Sequence, residues 1–242
     1  DANEAKACLT EATKYFHNIT IDLIYGIPDM SLDKWHSNLQ IAFEFGVNHI
    51  SSYSLTVEPK TALDSFIRKG SYPPINETLA LQHFNHLVSE TEKRGFVHYE
   101  TSNFGKPDYF SKHNKSYWQG KVYVGIGPSA HSFNGEQRSW NVSNNSKYIK
   151  TIKDNELPNE IETLSKTDRY NEYVMTGLRT IWGISLGTIK HDFGEMYLNH
   201  LLGQIKIFID KELLVLKDDK ITATKKGKFL IDGIASDLFI LN

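Results

Sequence analysis

One short segment concentrates residue types able to handle a flat, metal-bearing ligand. His113-Asn114-Lys115-Ser116-Tyr117-Trp118 sets an imidazole and a phenol four residues apart, which is one face if the segment is helical. Imidazole ligates haem iron well, and Tyr and Trp offer flat apolar area to a macrocycle. The same residues also read as a capping Asn followed by two packing aromatics, the commoner use of such clusters. A second candidate is Asp22, a carboxylate inside the apolar run 19–25. If it faces inward it needs a protein partner or a ligand's hydroxyl or amino group, because burying a bare charge is costly. Glu58 and Glu100 are weaker candidates of the same kind: Glu58 can cap a loop before Pro59, and Glu100 can simply alternate outward. Gly125-Ile126-Gly127-Pro128-Ser129-Ala130 matches a relaxed GxGxxA pattern, but Phe133-Asn134-Gly135 downstream reads as a turn. A dinucleotide site needs a helix N-terminus there to hold phosphate, so that reading is rejected. What survives is two glycines where a flat ligand can approach the backbone. No HExxH, Walker or GxSxG motif occurs, and His49, His98 and His131 lack metal-ligand spacing.

The elements that would position these residues alternate. A strand over 19–25 ends at Gly26 and Pro28. Ser31 can cap a helix over 32–45, with Trp35, Leu39, Ala42 and Phe43 at helical spacing. A second strand covers 49–55, and Asn76 can cap a longer helix that stops before Gly95. A third strand over 96–101, an irregular polar stretch over 103–112 and a fourth strand over 122–126 follow. This order predicts an α/β parallel sheet, either the second half of an α/β barrel or a doubly wound sheet, with ligand groups at the strand C-terminal ends. From about Thr163 the character changes: helices over 170–181 and 198–211, a hairpin over 213–223 turning at Asp218-Asp219, and a last helix reaching Leu238. That tail resembles a winged-helix module. Residues 165–242 carry 11 Lys+Arg against 10 Asp+Glu, however, and a net of +1 gives no DNA-binding footprint. A packing or lid domain is the better reading, with domains at 1–162 and 163–242.

Composition narrows the classes further. A chain of 242 residues that is 40% hydrophobic and 12% aromatic has the material for a packed core. Its net charge of -2 excludes a strongly basic nucleic-acid binder and gives no reason for electrostatic membrane attachment. Its single cysteine, Cys8, cannot by itself form a disulfide or an iron–sulfur cluster, and fits a cytoplasmic location.

Taken together the segments resemble the HemN/HemW radical S-adenosylmethionine family. Ile21-Asp22-Leu23-Ile24-Tyr25-Gly26-Ile27-Pro28 is similar to its "IDLIYGLP" strand, Tyr99-Glu100-Thr101-Ser102-Asn103-Phe104 with Lys106-Pro107 to "YEISNFAKPG", and Gly125 to Ser132 to "GLGPGAHS". Ser54-Leu55-Thr56-Val57-Glu58-Pro59 also matches, and His113 to Trp118 fits the HNxxYW signature of the HemW branch, described as haem chaperones. The resemblance implies the second half of a partial (β/α) radical-SAM-type barrel plus a small, mainly helical, winged-helix-like C-terminal domain. It implies haem or porphyrin as ligand, with His113 as the candidate iron ligand and Tyr117 and Trp118 shaping its surroundings. It implies S-adenosylmethionine contacts at Asp22, Thr56 and His131, the last two by backbone alone.

The family carries a CxxxCxxC motif that binds a [4Fe-4S] cluster, and these 242 residues lack it. The chain is therefore expected to be the C-terminal part of a longer protein, starting near the fourth barrel strand and inactive in radical chemistry. Its first strand is expected to present an unpaired edge that invites self-association. The parent is expected to be a cytoplasmic haem-binding chaperone that passes haem to a client haem protein, with peripheral membrane association through that client. The alternative activity is oxygen-independent oxidation of coproporphyrinogen III, by decarboxylating two propionates to vinyl groups.

Overall fold

The computed structural model describes residues 1–241. The chain divides into two compact units, Asp1–Ser111 and Lys112–Asn242.

The first unit contains α1 (Ala2–Tyr15), β1 (Thr20–Tyr25), α2 (Leu32–Glu44), β2 (His49–Ser54), α3 (Ala62–Arg68), α4 (Glu77–Lys93), β3 (Val97–Glu100) and β4 (Asn103–Gly105). α1 opens on a capping box between Asp1 and Glu4 and buries none of its residues. Ser31 and Asn76 cap α2 and α4, accepting from the Lys34 and Leu79 amides at 3.2 and 3.0 Å. β1 and β2 pair in parallel, Asp22 opposite Ser51, and the pairing runs on through Leu55 N–H to the Tyr25 carbonyl at 2.8 Å. On one face of the sheet Tyr25 meets Trp35 of α2 and Phe84 of α4, ring centroids 6.1 and 6.2 Å apart. Strand alternation then sets Thr20, Asp22 and Ile24 on the opposite face.

The third connection, a tight turn between β3 and β4, departs from the expected parallel order. The sheet runs β1-β2-β4-β3, with β4 antiparallel to both β2 and β3. The stretch read as irregular therefore begins with a buried strand. Glu100 causes the reversal. Its side chain is buried rather than turned outward, and it accepts from the Ser102 amide at 3.0 Å and from the Asn103 side-chain amide. Asn103 in turn accepts from the Ser51 hydroxyl at 3.1 Å, stitching β4 to β2. A three-residue strand containing Asn and Gly carries almost no strand signal of its own.

The second unit begins with α5 (Lys112–Trp118), then a meander of β5 (His131–Phe133), β6 (Gln137–Asn141) and β7 (Asn159–Thr163), with α6 (Asn145–Lys153) between β6 and β7. The expected strand over 122–126 does not form. Tyr123 alone bridges to Phe133, and Val122, Val124 and Ile126 stand exposed. None of the three finds an apolar surface to cover it, so its strand-like pattern is not used. The tail follows the expected order more closely: α7 (Lys166–Leu178), β8 (Ile184–Ser185), the short α8 (Leu186–Thr188) leading into a π-helical turn, α9 (Glu195–Asp210), the hairpin β9 (Leu214–Lys217) and β10 (Lys220–Ala223), then α10 (Ile231–Asp237). The small sheet runs β8-β10-β9. Its core joins Tyr170, Val174, Leu178, Leu201, Ile205, Ile221, Ala235 and Leu238, all essentially inaccessible. Among the described residues, no helix is long and apolar enough to cross a membrane.

Three imidazoles of the first unit, His49, His83 and His86, are pushed below their ordinary range by burial. The folded state thus favours their neutral forms, while the unfolded chain takes up protons near pH 6.5. As pH falls below that value the unfolded state binds more protons, so stability is full above it and declines on acidification. The expected result is a urea midpoint lower at pH 5.5 than at pH 7.5. His83→Gln should be less stable than the wild type at pH 7.5 and show a smaller loss between the two pH values. An unchanged midpoint in the wild type would contradict this.

Candidate functional site

The HNxxYW segment is a helix, α5, so the four-residue spacing does place His113 and Tyr117 together. Their rings meet edge-on at 4.9 Å, and Tyr117 meets Tyr123 edge-on at 4.8 Å. His113 is exposed, and Ser116 hydrogen-bonds its carbonyl at 2.7 Å. Asn114 lies inside the helix, so it is not the cap that the packing reading required. Trp118 at the far end is held from the C-terminal elements: the Arg179 guanidinium, 4.9 Å from its ring centre, stacks over it and is itself paired with Asp232 of α10.

Tyr117 and Trp118 open onto a cavity of about 830 Å3 within the second unit. Its aromatic wall continues through Tyr123, Phe133, Trp182 and Phe239, with Arg138 and Arg169 also on its lining. Small-molecule sites span roughly 300–1,000 Å3 and combine apolar walls with a few polar groups. Arg138 is paired with Glu172 at 2.7 Å, and Arg169 is exposed. His113 stands one helical turn from Tyr117, outside the residues that line the cavity. These wall residues come from separate segments, and neither arginine had a local signal in the sequence.

Of the two glycines of the motif, Gly127 stands open, whereas the space at Gly125 is taken. A Cβ on Gly125 would lie 2.2 Å from the His131 carbonyl oxygen, so the backbone that approaches it is the chain's own. The Asn141 side-chain amide binds the Gly125 and Gly127 carbonyls at 3.3 and 2.9 Å, and Gly125 N–H donates to the Ser132 hydroxyl at 2.9 Å. His131 begins β5, exposed, with its ring 6.2 Å from that of Trp140.

Asp22 and Thr56 belong to the first unit. Asp22 is exposed on the face of β1 opposite Tyr25, so it bears no burial cost, and Thr56 is exposed just beyond β2. Behind β1, His83 of α4 fixes the strand's end: its Nδ1 accepts from Gly26 N–H at 3.1 Å, while its carbonyl accepts from the Trp35 indole at 2.9 Å. His49 is likewise internal. A consistent chain runs from Ser111 N–H to the Tyr99 oxygen, from Tyr99 O–H to His49 Nε2, and from His49 Nδ1–H to Thr20, at 3.2, 2.8 and 2.7 Å. Burial raises the Tyr99 phenol to about 12, which keeps it protonated as this relay requires. Cys8 is exposed on α1.

Comparison with known proteins agrees with this architecture. Residues 164–230 match the HemN C-terminal domain family. The chain is 32% identical over 228 residues to Heme chaperone HemW of Lactococcus lactis, covering 90% of this chain and 60% of that protein. It is 32% identical to Heme chaperone HemW of Bacillus subtilis, covering 89% and 57%. The bovine mitochondrial radical S-adenosyl methionine domain-containing protein 1 is 26% identical over 98% of this chain and 57% of its own length. Among solved structures, coproporphyrinogen III oxidase (HemN) from Escherichia coli, a radical SAM enzyme, superposes with a TM-score of 0.78 at 18% identity, covering 99% of this chain and 59% of that one. The fold is therefore the α/β fold of the radical SAM enzyme HemN, with its C-terminal domain. The chain belongs to the HemN/HemW family, and the two bacterial relatives at 32% identity are both Heme chaperone HemW proteins. It spans about 60% of the length of the curated relatives it matches.

Gly125→Ala is expected to destabilise the second unit by about 1–3 kcal/mol, the usual range for forcing extra atoms into a filled site. Chemical denaturation checks this. A wild-type midpoint would show that the segment over 125–131 rearranges freely.

Proposed function

We propose that this chain is part of a haem-binding chaperone of the HemW type, divided into a barrel-derived part over 1–162 and a HemN-type C-terminal domain over 163–242. The observation that carries the reading is α5: an accessible imidazole, His113, edge-on against a tyrosine that leads into an aromatic cavity of about 830 Å3. Its support from relatives is the chaperone name shared by the HemW proteins. His113 would ligate the iron through a ring nitrogen, and Tyr117 and Trp118 would cover part of the macrocycle. Trp118 is pre-positioned by Arg179, so less side-chain freedom is lost on binding. The haem would pass to a client haem protein, in the cytoplasm or at a membrane where that client sits. The alternative, oxidation of coproporphyrinogen III, rests on likeness of fold, which does not specify chemistry.

S-adenosylmethionine is the second ligand in this reading. The exposed Asp22 carboxylate suits the amino or ribose groups of such a molecule, and Thr56, in the same unit, would contribute a backbone contact. When bound with a [4Fe-4S] cluster, it supplies radical chemistry. One cysteine does not furnish a cluster's ligands, so no radical step is derived from these residues.

Titration in the Soret region, with thermal melts alongside, tests the assignment. His113→Ala is expected to lose or shift the Soret band. Tyr117→Ala and Trp118→Ala should each weaken binding by about tenfold or less, since they remove contact area rather than the bond to iron. His191→Ala, changing an exposed imidazole on a different element, should leave the spectrum unchanged. A folded His113→Ala variant with wild-type spectrum and affinity would overturn the reading. In a parent protein that carries the cluster motif, Asp22→Ala is expected to weaken S-adenosylmethionine binding while leaving stability intact. Unchanged affinity there would make Asp22 a structural residue.

A further inference from the structure

We propose that His36, His86 and Glu90 form a binding site for one Zn2+ ion that clamps α2 to α4. His36 Nδ1 and His86 Nε2 face each other at 2.9 Å across the two helices. A carboxylate oxygen of Glu90, one turn beyond His86 on α4, completes a set of three donor atoms that lie within 4.8 Å of one another. Zn–N bonds of about 2.0–2.1 Å in tetrahedral geometry hold two ligand nitrogens about 3.3 Å apart, so the imidazoles need separate by only a few tenths of an ångström. Two nitrogens and one carboxylate oxygen suit zinc, whereas Mg2+ and Ca2+ prefer all-oxygen shells. The fourth position would go to water.

The protonation chemistry fits. Both rings would bind as neutral imidazoles, with the remaining N–H on His36 Nε2 and His86 Nδ1. Burial already disfavours the charged form of His86. Glu90 is ionised throughout the useful range, held near pKa 2 foremost by its hydrogen bond from Lys93. Its two oxygens are used differently. Oε2 accepts from Arg94 at 2.8 Å and from Gln40 at 3.3 Å, a network that already joins α4 to α2. Oε1 accepts from the Lys93 ammonium at 2.7 Å, and Lys93 is largely exposed. Lys93 thus holds a cation's place beside the histidines and can swing into water when zinc arrives. Arg94, tied to Gln40 and stacked over Phe43 at 4.2 Å, stays put. The spacing His86-x-x-x-Glu90 is the local signal in the sequence; His36, fifty residues earlier, joins it only through helix packing.

The site does not depend on haem binding, and its test is separate. The full chain is titrated with Co2+, followed by its visible d–d absorption, and then competed with Zn2+. The expected result is one ion per chain, the intense bands of a tetrahedral site, and micromolar zinc affinity. His36→Ala and His86→Ala should each weaken zinc at least tenfold, Glu90→Gln should weaken it less, and His113→Ala should leave it unchanged. Lys93→Met should tighten it several-fold. Metal-free thermal melts establish that the variants fold, with His36→Gln as a second variant where His36→Ala does not. Absence of tetrahedral cobalt bands, or zinc affinity indifferent to folded variants of both histidines, would overturn the proposal.

Discussion

An unpartnered polar group in a protein interior costs a kilocalorie or more, and that constraint organises the first unit. Its sheet buries His49, Ser51, Glu100 and Asn103, residues that belong at a surface by type. Each finds a partner from a different element. Glu100 closes the β3–β4 turn, Asn103 reaches Ser51 on β2, and His49 links Thr20 on β1 to Tyr99 on β3. The sheet is thus held by specific side-chain bonds as well as by its backbone ladder. Because the imidazoles must be neutral to fit, the same arrangement makes the unit sensitive to acid.

The same constraint separates two kinds of histidine. His49 has both ring nitrogens committed to internal partners, and the Nδ1 lone pair of His83 is taken by Gly26 N–H while its Nε2 is buried without a partner, so neither has a lone pair to offer a ligand. His113 is exposed and meets the ring of Tyr117 edge-on, and an exposed imidazole can offer a nitrogen to a ligand. Accessibility of a nitrogen lone pair, rather than spacing in the sequence, marks a candidate metal ligand. The His36–His86 pair satisfies it in another way, since two ring nitrogens aimed at each other leave room for one ion in place of a hydrogen.

What was legible in the sequence follows from how local each signal is. Helices α2 and α4 declared themselves through caps and apolar periodicity, and the β9–β10 hairpin through Asp218-Asp219, both of which take positive φ. HNxxYW was legible because all its members lie within one helix. The β3–β4 reversal was not, since it depends on a buried carboxylate binding donors two and three residues on. The segment over 122–126 misled because alternation of apolar residues signals a strand only where a sheet is available to cover them. The cavity wall was illegible for a related reason: Tyr117, Phe133, Trp182 and Phe239 are brought together by tertiary structure alone.

The geometry of the second unit explains why a ligand helix should be built this way. α5 is a helix of seven residues, too short to be stable alone, so its orientation must come from what it packs on. Trp118 supplies that anchor through Arg179, and Arg179 is fixed at the end of α7 by Asp232. The anchor sits at the C-terminal end of α5, while His113 sits a turn and a half earlier with its ring exposed. Under the proposed haem reading, an exposed imidazole suits a large planar ligand that is accepted and later released. The second unit combines a packed core around Tyr170, Leu201 and Ile221 with the exposed His113 at its margin, an arrangement that fits the proposed transfer of a bound haem.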